Sequence, residues 1–350
     1  TAVVSPRGPR YSDGMTRLAT DLGDVFDAIT SYQRTAAMKA AIDLDVFTAV
    51  GAGATTPETL ATKTGASARG LRALCSRLVA DGFLTFADGH FGLAPAAQMF
   101  LDRSSDAFFG SAVTFITSPH IVEGFNRLTE AVRRGGTALG AAHTLAPEHP
   151  VWVEFARAMG PLARVSGTLV ANLLEAQKGA PCKALDIAAG HGNYGITLLE
   201  ANPNAHVVAL DWGSVLTVAR ANAAKAGVAA RFEARPGSAF EVDWGTGYDV
   251  VLLPNFLHHF DVEGCQDVLR RAHAALAPGG RVVIVEFVPN ADRVSPPDAA
   301  GFALTMLAST EGGDAYTFAE YETMLRATGF RDPSLHDLPP SPNRVVLATR

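Results

Sequence analysis

A closely spaced group of glycines is the first feature of this sequence that suggests a chemical role. Residues 183–195 read Lys-Ala-Leu-Asp-Ile-Ala-Ala-Gly-His-Gly-Asn-Tyr-Gly, so Gly190, Gly192 and Gly195 fit the pattern G-x-G-x-x-G. Glycines let the backbone approach a ligand closely, and the first N–H groups of a helix are free to bind it. Apolar residues before the glycines predict a short strand, and a helix is predicted to begin near Tyr194. Such a unit can hold a nucleotide, although glycine-rich turns also occur as packing devices.

Two aspartates stand where they could bind the polar groups of such a ligand. Asp186 lies just before the glycines, and Asp211 follows Gly190 by 21 positions (211 − 190). A carboxylate at that distance can accept hydrogen bonds from both ribose hydroxyls of a nucleoside. An aspartate in this place could instead cap the next helix. The glycine turn ahead of Asp211 favours ribose binding.

Two cofactors fit this arrangement. A dinucleotide would place its pyrophosphate on the glycine turn, whereas S-adenosylmethionine would place its amino-acid end there. The second is favoured because the nucleotide-binding half follows a helical N-terminal half and because Asp186 could bind an ammonium group. In addition, no arginine accompanies the turn to assist a pyrophosphate.

The elements that must position these residues alternate between strand and helix patterns from residue 183 onward. This alternation predicts a parallel sheet with helices on both faces. The predicted strands are 184–187, 206–210, a segment near 230–233, 249–253 and 281–288. A last strand, 344–349, is predicted to pair antiparallel with its predecessor and to close the sheet at its edge. Ligands of such sheets bind beyond the carboxyl ends of the strands, where both aspartates are expected.

The N-terminal part predicts a winged helix, which is a set of helices followed by a β-hairpin. Apolar residues return at helical spacing over 21–47, and Thr56-Pro57 is suited to the start of a second helix. A third helix is predicted from the apolar spacing over 71–79. Two short strands then flank Asp88-Gly89, a strong hairpin signal.

A winged helix raises the alternative of DNA binding. Its helices carry Lys63, Arg69, Arg72 and Arg77, but acidic residues are also present, and arginines on a helix are commonly its solvated face. The net charge of −6 gives no general attraction for nucleic acid. A structural or dimer-forming role is therefore favoured.

Composition limits the class of protein. With 48% hydrophobic and 18% charged residues, the chain suits a well-buried globular protein rather than a disordered one. No apolar run reaches the roughly 18 residues of a membrane span, and the first residues do not resemble a secretory signal. Cys75, Cys182 and Cys265 are scattered, which argues against a disulfide framework or a C-x-x-C zinc site and suggests a reducing compartment. We therefore expect a cytoplasmic protein without a metal ion.

Several motifs together resemble a known family. Leu185-Asp-Ile-Ala-Ala-Gly-His-Gly192, Asp211 and Gly237-Ser-Ala-Phe240 resemble the cofactor motifs of class I S-adenosylmethionine-dependent methyltransferases. The layout of nearly the whole chain resembles the small-molecule O-methyltransferases, which include plant caffeate-type, acetylserotonin-type and bacterial antibiotic-tailoring enzymes. The resemblance implies a Rossmann-like, seven-stranded, doubly wound α/β sheet preceded by an all-α winged-helix dimerisation domain. It also implies a homodimer, joined through the N-terminal domains, that binds neither nucleic acid nor membranes.

With this resemblance the chain is predicted to divide into four parts. Residues 1–15 are a flexible arm and 16–105 the winged-helix dimerisation domain. Residues 106–180 are a helical connector that contributes to the substrate pocket, and 181–350 are the S-adenosylmethionine-binding catalytic domain.

The resemblance also implies a catalytic base. The family has a histidine after the fourth strand of the sheet and a glutamate at the end of the fifth, and the matching residues are His258 and Glu286, 28 positions apart (286 − 258). A neutral His258 could remove the proton of a hydroxyl group. Glu286 could fix the imidazole tautomer and stabilise its charged form. Either side chain could instead have only a structural role.

Three positions depart from the family pattern. Ala315 stands where the family has a second glutamate beside the base, and Asp314 is merely next to that position. Ser238 replaces an acidic residue that binds adenosine, and Pro254 replaces a frequent lysine. These departures bear on how the proton is removed rather than on which cofactor binds.

The remaining predicted site residues follow from the motifs and from helix positions. The predicted cofactor-binding residues are Asp186, Ala188, Gly190, Gly192, Asp211, Trp212, Gly237, Ser238, Ala239, Phe240 and Asn255. The predicted pocket residues, each of which could equally be core, are Phe155, Met159, Phe256, His259, Phe302 and Met306.

The sequence thus predicts an S-adenosylmethionine-dependent methyltransferase that acts on a hydroxyl group of an apolar or aromatic small molecule and releases S-adenosylhomocysteine. Three alternatives remain open. The acceptor atom could be sulfur, nitrogen or carbon. The same fold could catalyse a non-methylating reaction such as a rearrangement or cyclisation. The chain could also be a winged-helix transcription regulator.

Overall fold

The structure is a computed structural model that describes residues 18–140, 148 and 150–350. The chain divides into two compact units, which meet in the sequence between Thr117 and Ser118. The predicted flexible arm, residues 1–15, lies outside the described residues. The predicted connector, 106–180, is shared between the two units.

The first unit contains six helices and one hairpin within its described residues. In chain order these are α1 Leu22–Asp43, α2 Val46–Gly51, α3 Pro57–Thr64, α4 Ala68–Ala80, β1 Leu84–Ala87, β2 His90–Leu93, α5 Pro95–Phe100 and α6 Ala112–Ile116. The segment predicted as one helix over 21–47 is two helices, because Asp45 adopts a left-handed conformation with φ of 53° and breaks the helical path. Asp88 and Gly89 both have positive φ, as the tight turn between β1 and β2 requires.

The helix starts of this unit follow the local signals in the sequence. Thr56 accepts the backbone N–H of Thr59 and caps α3, with Pro57 at the first helical position. Ser67 caps α4 in the same way. Buried faces of α2, α3 and α4 then meet in one apolar core, which includes Phe47, Leu60, Leu71, Leu78 and Leu84.

The second unit combines one sheet of seven strands with surrounding helices. Its elements in chain order are α7 Pro119–Asn126, α8 Leu128–Arg134, α9 Val151–Leu173, β3 Cys182–Ile187, α10 Asn193–Ala201, β4 Ala205–Asp211, α11 Gly213–Lys225, β5 Phe232–Pro236, β6 Tyr248–Pro254, α12 Val262–Ala275, β7 Leu276–Glu286, α13 Pro297–Ser309, α14 Phe318–Ala327, β8 Arg331–Asp337 and β9 Arg344–Thr349.

The strand order in the sheet is β5-β4-β3-β6-β7-β9-β8. Strands β3 to β7 are parallel, and β9 runs antiparallel to both β7 and β8. The order reverses between β3 and β6, so this pair forms the switch point at which parallel sheets bind ligands. The predicted doubly wound α/β fold is confirmed.

Two details of the predicted strands are wrong. The final strand, β9, is not the edge of the sheet, because β8 pairs with its outer side. Strand β8 was missed since it contains Pro333 and polar residues, which suit only an edge strand. The third strand begins at Phe232 rather than near Ala230, because residues 229–231 form a turn of 3₁₀-helix.

Alternating side chains of the sheet build a core on each face. Val207 and Ala209 pack with α9, α10 and α11, whereas Leu185, Ile187 and Leu210 pack with α12 and α14. These central strands are buried on both faces, as parallel strands usually are. In the described part of the chain no helix is both long enough and apolar enough to cross a membrane.

Candidate active site

The glycine turn follows β3 at the switch point. Ala188, Gly190 and Gly192 all have positive φ, and α10 begins immediately afterwards at Asn193. At Gly192 a side chain would be strained, because φ is 74° and a Cβ would lie 3.0 Å from the Cβ of Ala219. The turn therefore brings the backbone close to α11, and two of the first N–H groups of α10, at residues 193 and 195, bind His191 and Asp186.

Asp186 is fully buried at the carboxyl end of β3. Its Oδ2 accepts the backbone N–H of Gly195 at 3.1 Å, whereas its Oδ1 is enclosed with no hydrogen-bond partner among the described residues. Burial raises the pKa of Asp186 to about 7, against the opposing effect of the Gly195 hydrogen bond, and the charge of Asp211 raises it further. A buried carboxylate oxygen without a partner, in a group whose pKa is near neutral pH, is suited to bind the ammonium group of an amino acid.

Asp211 ends β4 beside the same turn. One carboxylate oxygen accepts the N–H of Gly190 at 2.7 Å, and the other accepts the N–H of Trp212 at 2.6 Å. Burial raises the pKa of Asp211 to about 6, although both hydrogen bonds act in the opposite direction. The alternative role as a helix cap is wrong, because Trp212 is the residue that precedes α11 and the Asp211 side chain does not cap it. Its remaining lone pairs are available to ribose hydroxyls.

The segment 237–240 lies beside the end of β4. The N–H of Gly237 donates to the carbonyl of Asp211 at 2.9 Å. Ser238 accepts the N–H of Phe240 through its hydroxyl at 3.2 Å, and the carbonyl of Ala239 accepts the indole N–H of Trp244 at 2.8 Å. These bonds tie the predicted adenosine-binding residues to the strand that carries Asp211.

His258 and Glu286 form a buried pair at the ends of neighbouring strands. His258 Nδ1 lies 2.7 Å from Glu286 Oε2, and the backbone N–H of His258 donates to Oε1 at 3.3 Å. Both side chains are nearly inaccessible to solvent, with 7% and 1% exposed. The carboxylate holds a proton on Nδ1, so the lone pair of the neutral imidazole is on Nε2.

A row of aromatic rings connects His258 to the glycine turn. The rings follow one another in the order Phe302, His258, His259, Trp152, Phe155 and His191. The distances between successive ring centroids are 4.7, 4.2, 5.3, 6.0 and 6.3 Å. We call these six residues the ring row. Phe287 stacks on Phe302 at 4.2 Å and extends it.

The ring row contains some predicted pocket residues and not others. Phe155, His259 and Phe302 belong to it, while Phe256 packs with Phe240 and Phe260 instead. Met306 is buried and Met159 half-buried; their place in a pocket stays a prediction. The predicted pocket residues do not include Trp152 or Phe287, although Phe287 directly follows Glu286 in the sequence.

Two histidines of the ring row are neutral at physiological pH. Burial lowers the pKa of His191 to about 4. Burial, followed by the nearness of His258, lowers the pKa of His259 well below its ordinary value. Because His191 Nδ1 accepts the N–H of Asn193 at 3.1 Å, its proton must be on Nε2.

Ala315 stands where the family has a second glutamate. Among the described residues, the carboxylate partner of His258 is therefore Glu286. Ala315 is buried, and the neighbouring Asp314 turns to Arg293, whose guanidinium lies 3.0 Å from its carboxylate. Arg293 also pairs with Glu320. Asp314 therefore does not replace the missing family glutamate.

The site lies in a chain whose two parts match known sequence profiles. The profile described as the O-methyltransferase domain matches residues 125–331, and that of the O-methyltransferase dimerisation domain matches residues 26–103. The first of these alone spans more than half of the chain.

Individual relatives align over nearly the full length. The 3-hydroxy-5-methyl-1-naphthoate 3-O-methyltransferase of Streptomyces sahachiroi is 29% identical over 337 residues, covering 93% of this chain and 94% of that protein. The L-tyrosine C(3)-methyltransferase of Streptomyces lavendulae is 26% identical over 328 residues, covering 89% and 88%. A crystal structure from Nostoc punctiforme PCC 73102, provisionally assigned as an O-methyltransferase, is 49% identical with a TM-score of 0.90, covering 95% of this chain and 100% of that one.

Proposed function

Because this chain belongs to the O-methyltransferase family, we propose that it methylates a hydroxyl oxygen of a small aromatic molecule, with His258 as the general base. The buried His258–Glu286 pair carries this proposal. It is the arrangement expected of a base whose tautomer and charged form are supported by a carboxylate.

The site residues fit S-adenosylmethionine, whose sulfonium supplies an electrophilic methyl group when it is bound. The unpartnered oxygen of Asp186 would accept the ammonium group of the methionyl end. The backbone from Ala188 to Gly192 would lie against that end, and Asp211 would accept the ribose hydroxyls. Phe240, which is 37% exposed beside the end of β4, would lie against the adenine.

The residues of this chain then have distinct tasks in the transfer. His258 Nε2 accepts the proton of the acceptor hydroxyl as the oxygen–carbon bond forms and the carbon–sulfur bond breaks. Glu286 stabilises the imidazolium that results. The products are the methyl ether, S-adenosylhomocysteine and one proton, which His258 later returns to solvent.

An aromatic acceptor is supported by the ring row. Faces and edges of Phe302, Trp152 and Phe155 would hold a flat ring by offset stacking and edge contacts. The neutral His259 places little charge beside such a ring. The relative from Streptomyces sahachiroi, which is named for a hydroxynaphthoate acceptor, is consistent with this substrate class.

Transfer of labelled methyl from S-adenosylmethionine to a panel of hydroxynaphthoates and hydroxybenzoates tests the proposal. We expect labelled ethers from the wild type and a fall in kcat of roughly 10²–10⁴-fold for His258→Ala. His206→Ala, an exposed histidine on β4, is the matched control and should keep wild-type activity. Full activity of the His258 variant would refute the assignment of the base.

Carbon methylation is a second candidate, favoured by the similarity to the L-tyrosine C(3)-methyltransferase. The same base would serve, because a phenolate formed by His258 is also nucleophilic at the adjacent ring carbon. Proton–carbon NMR of the product separates the two, since methyl groups on oxygen and on carbon have distinct shifts.

We also propose a homodimer formed through the N-terminal unit. The first half of α1 exposes a run of apolar side chains that includes Leu22, Phe26 and Ile29, with 82%, 63% and 68% exposed. Such a face needs cover, and the match to a dimerisation domain supports a second copy as its partner. The cysteines of the chain are all free thiols, which suits the proposed cytoplasmic location.

A further inference from the structure

A group of linked polar residues lies next to the catalytic pair, and the proposed reaction does not use it directly. It joins Tyr194 of α10, Ser166 of α9, Ser341 and Asn343 of the β8–β9 loop, and Asn255 after β6. We call these five residues the polar ring. Hydrogen bonds connect Ser166 to Ser341, Ser341 to Asn343, Asn343 to Asn255 and Asn255 to Tyr194.

Four hydrogen bonds link the members of the polar ring in order from Ser166 to Tyr194. The hydroxyls of Ser166 and Ser341 lie 2.8 Å apart, and the backbone N–H of Asn343 donates to Ser341 at 3.1 Å. Asn343 Nδ2 donates to Asn255 Oδ1 at 3.2 Å, and Asn255 Nδ2 donates to the Tyr194 hydroxyl over a long 3.5 Å.

Most members of the polar ring are deeply buried. Ser166, Tyr194 and Asn343 are 1%, 3% and 5% exposed. A buried polar group whose partner is removed loses its hydrogen bond without regaining water, so deletion of one member affects its neighbours in the ring. A fully satisfied buried network of this kind fixes one arrangement of the elements it joins.

Asn255 is the member that connects the polar ring to the catalytic pair. It stands three positions before His258, and its backbone N–H donates at 2.8 Å to the carbonyl of Val285, the residue before Glu286. Its φ of 52° is left-handed, a conformation that asparagine tolerates better than most residues. Both ends of its side-chain amide are engaged within the ring, so the side chain helps to hold the bend.

We infer that Asn343, through Asn255, is a positioning residue that sets where His258 presents Nε2. This inference rests on the proposed function, in which His258 is the base. The direction of the chain after β6 depends on the left-handed bend at Asn255, and that bend is held from outside by the β8–β9 loop. A displacement of about 1 Å at a reacting group can cost roughly 10²-fold in rate.

The kinetic expectation is a loss in kcat without a loss in cofactor binding. Asn343→Ala should lower kcat by about 10- to 100-fold, because the bend at Asn255 loses its support. The Kd for S-adenosylhomocysteine and the KM for S-adenosylmethionine should change less than about threefold, since Asp186 and Asp211 are held by the backbone N–H groups of residues 190, 195 and 212 and not by Asn343. Asn172→Ala, which removes an exposed asparagine of α9, is the matched control and should behave as wild type.

A double-mutant cycle distinguishes the polar ring from a general loss of stability. Tyr194→Phe removes one oxygen at the opposite point of the ring and should lower kcat several-fold by itself, which keeps the test usable if Asn343→Ala does not fold. Combined with Asn343→Ala, its effect should be less than additive by at least about threefold, because both variants break the same ring. Additive effects, an unchanged kcat, or equal losses in kcat and in S-adenosylhomocysteine affinity would each overturn the inference.

Amide hydrogen exchange tests the same inference without any acceptor molecule. In Asn343→Ala the amides of Asn255 and His258 should exchange at least about tenfold faster than in the wild type, while amides of β4 stay protected. Unchanged exchange at both amides would refute the positioning role. If the wild type transfers no methyl group, the proposed function fails, and the exchange result still decides whether Asn343 holds this segment.

Discussion

Glu286 binds His258 at two atoms. Its carboxylate lies 2.7 Å from the ring Nδ1 through one oxygen and accepts the backbone N–H of the same residue at 3.3 Å through the other. One carboxylate therefore fixes both the place of the residue and the tautomer of its ring, and it leaves Nε2 as the basic nitrogen. The pair joins the end of β7 to the turn after β6, across the switch point from the strand β3 that leads into the glycine turn.

The first prediction concerns this carboxylate. Glu286→Gln keeps the size of the side chain but removes the charge that stabilises the imidazolium, so kcat should fall by roughly 10²–10⁴-fold. S-adenosylhomocysteine should still bind, because Asp186 and Asp211 are untouched. Methyl-transfer kinetics and calorimetric titration measure the two effects. Glu200→Gln, which removes only a surface partner of Arg164, serves as control. A comparable loss of kcat in this control would contradict a specific role of Glu286.

The second prediction concerns pH and the cofactor. The pKa of Asp186 is raised to about 7, so this carboxyl is mostly protonated near pH 6 and mostly ionised near pH 8. A ligand ammonium requires the ionised form, and the affinity for S-adenosylhomocysteine should therefore rise about tenfold over this interval, with release of protons on binding. Calorimetry in buffers of different ionisation enthalpy measures both quantities.

In the free protein, ionisation of Asp186 has the opposite effect: it lowers the free energy of unfolding. Since the folded pKa of Asp186 lies above its unfolded value, its contribution to the free energy of unfolding is full at low pH and is lost as pH rises through about 7. The shift in Tm caused by S-adenosylhomocysteine should thus be larger near pH 8 than near pH 6. Asp186→Asn should bind more weakly and show a reduced pH dependence. A wild type whose affinity falls with rising pH would contradict the assignment of Asp186.

The local signals in the sequence were sufficient for the two aspartates at strand ends. Asp186 and Asp211 each end or nearly end a strand, and an alternating strand–helix pattern is enough to bring such ends to one edge of a sheet. Glu286 was predicted only through the family resemblance. The same reasoning failed for β8, because Pro333 and a bulge between Arg331 and Ser334 interrupt the strand pattern.

Contacts between distant parts of the sequence had no such signal. Asn343 and Asn255 are 88 positions apart, and a lone asparagine in a proline-containing loop gives no sign of a buried partner. Trp152 lies on a helix with apolar positions on several sides, so its contact with His259 could not be separated from ordinary core packing. Such contacts follow from tertiary packing, which periodicity does not encode.

The third prediction concerns the residue beside the absent family glutamate. Asp314 is paired with Arg293 at 3.0 Å and is 39% exposed, so it does not support His258. Asp314→Asn should leave kcat within about twofold of the wild type, because an exposed ion pair contributes only about 0–1 kcal/mol. Steady-state kinetics with the same acceptor measures this. A fall comparable to that of Glu286→Gln would instead make Asp314 part of the catalytic support.

The fourth prediction concerns the exposed apolar face of α1. The double variant Phe26→Asp/Ile29→Asp places two charges on this face and should convert the proposed dimer into a monomer, because buried charges without partners are costly. Sedimentation velocity measures the mass. Val294→Asp, a substitution at another exposed apolar residue with 67% exposed, should leave the mass unchanged. A double variant that keeps the wild-type mass would place the dimer contact elsewhere.

The last prediction compares two glycines, one closely packed and the other with open space around it. A Cβ on Gly313 would lie 2.1 Å from the carbonyl oxygen of His258 and 2.7 Å from the Thr310 hydroxyl. Because the first of these contacts is with backbone, the loop 312–315 cannot accept a methyl group without displacing the segment that carries the base. Gly313→Ala should lower the free energy of unfolding by about 1–3 kcal/mol and should also reduce kcat.

Gly301 is the matched case, since it lies within α13 with no heavy atom within 4 Å of its added Cβ. Gly301→Ala should be neutral or should raise the free energy of unfolding by up to about 1 kcal/mol, because alanine is the better helix former. Chemical denaturation measures both variants. Equal stability of the two would mean that the loop moves freely away from His258, and the close packing of Gly313 on the catalytic segment would then have no energetic consequence.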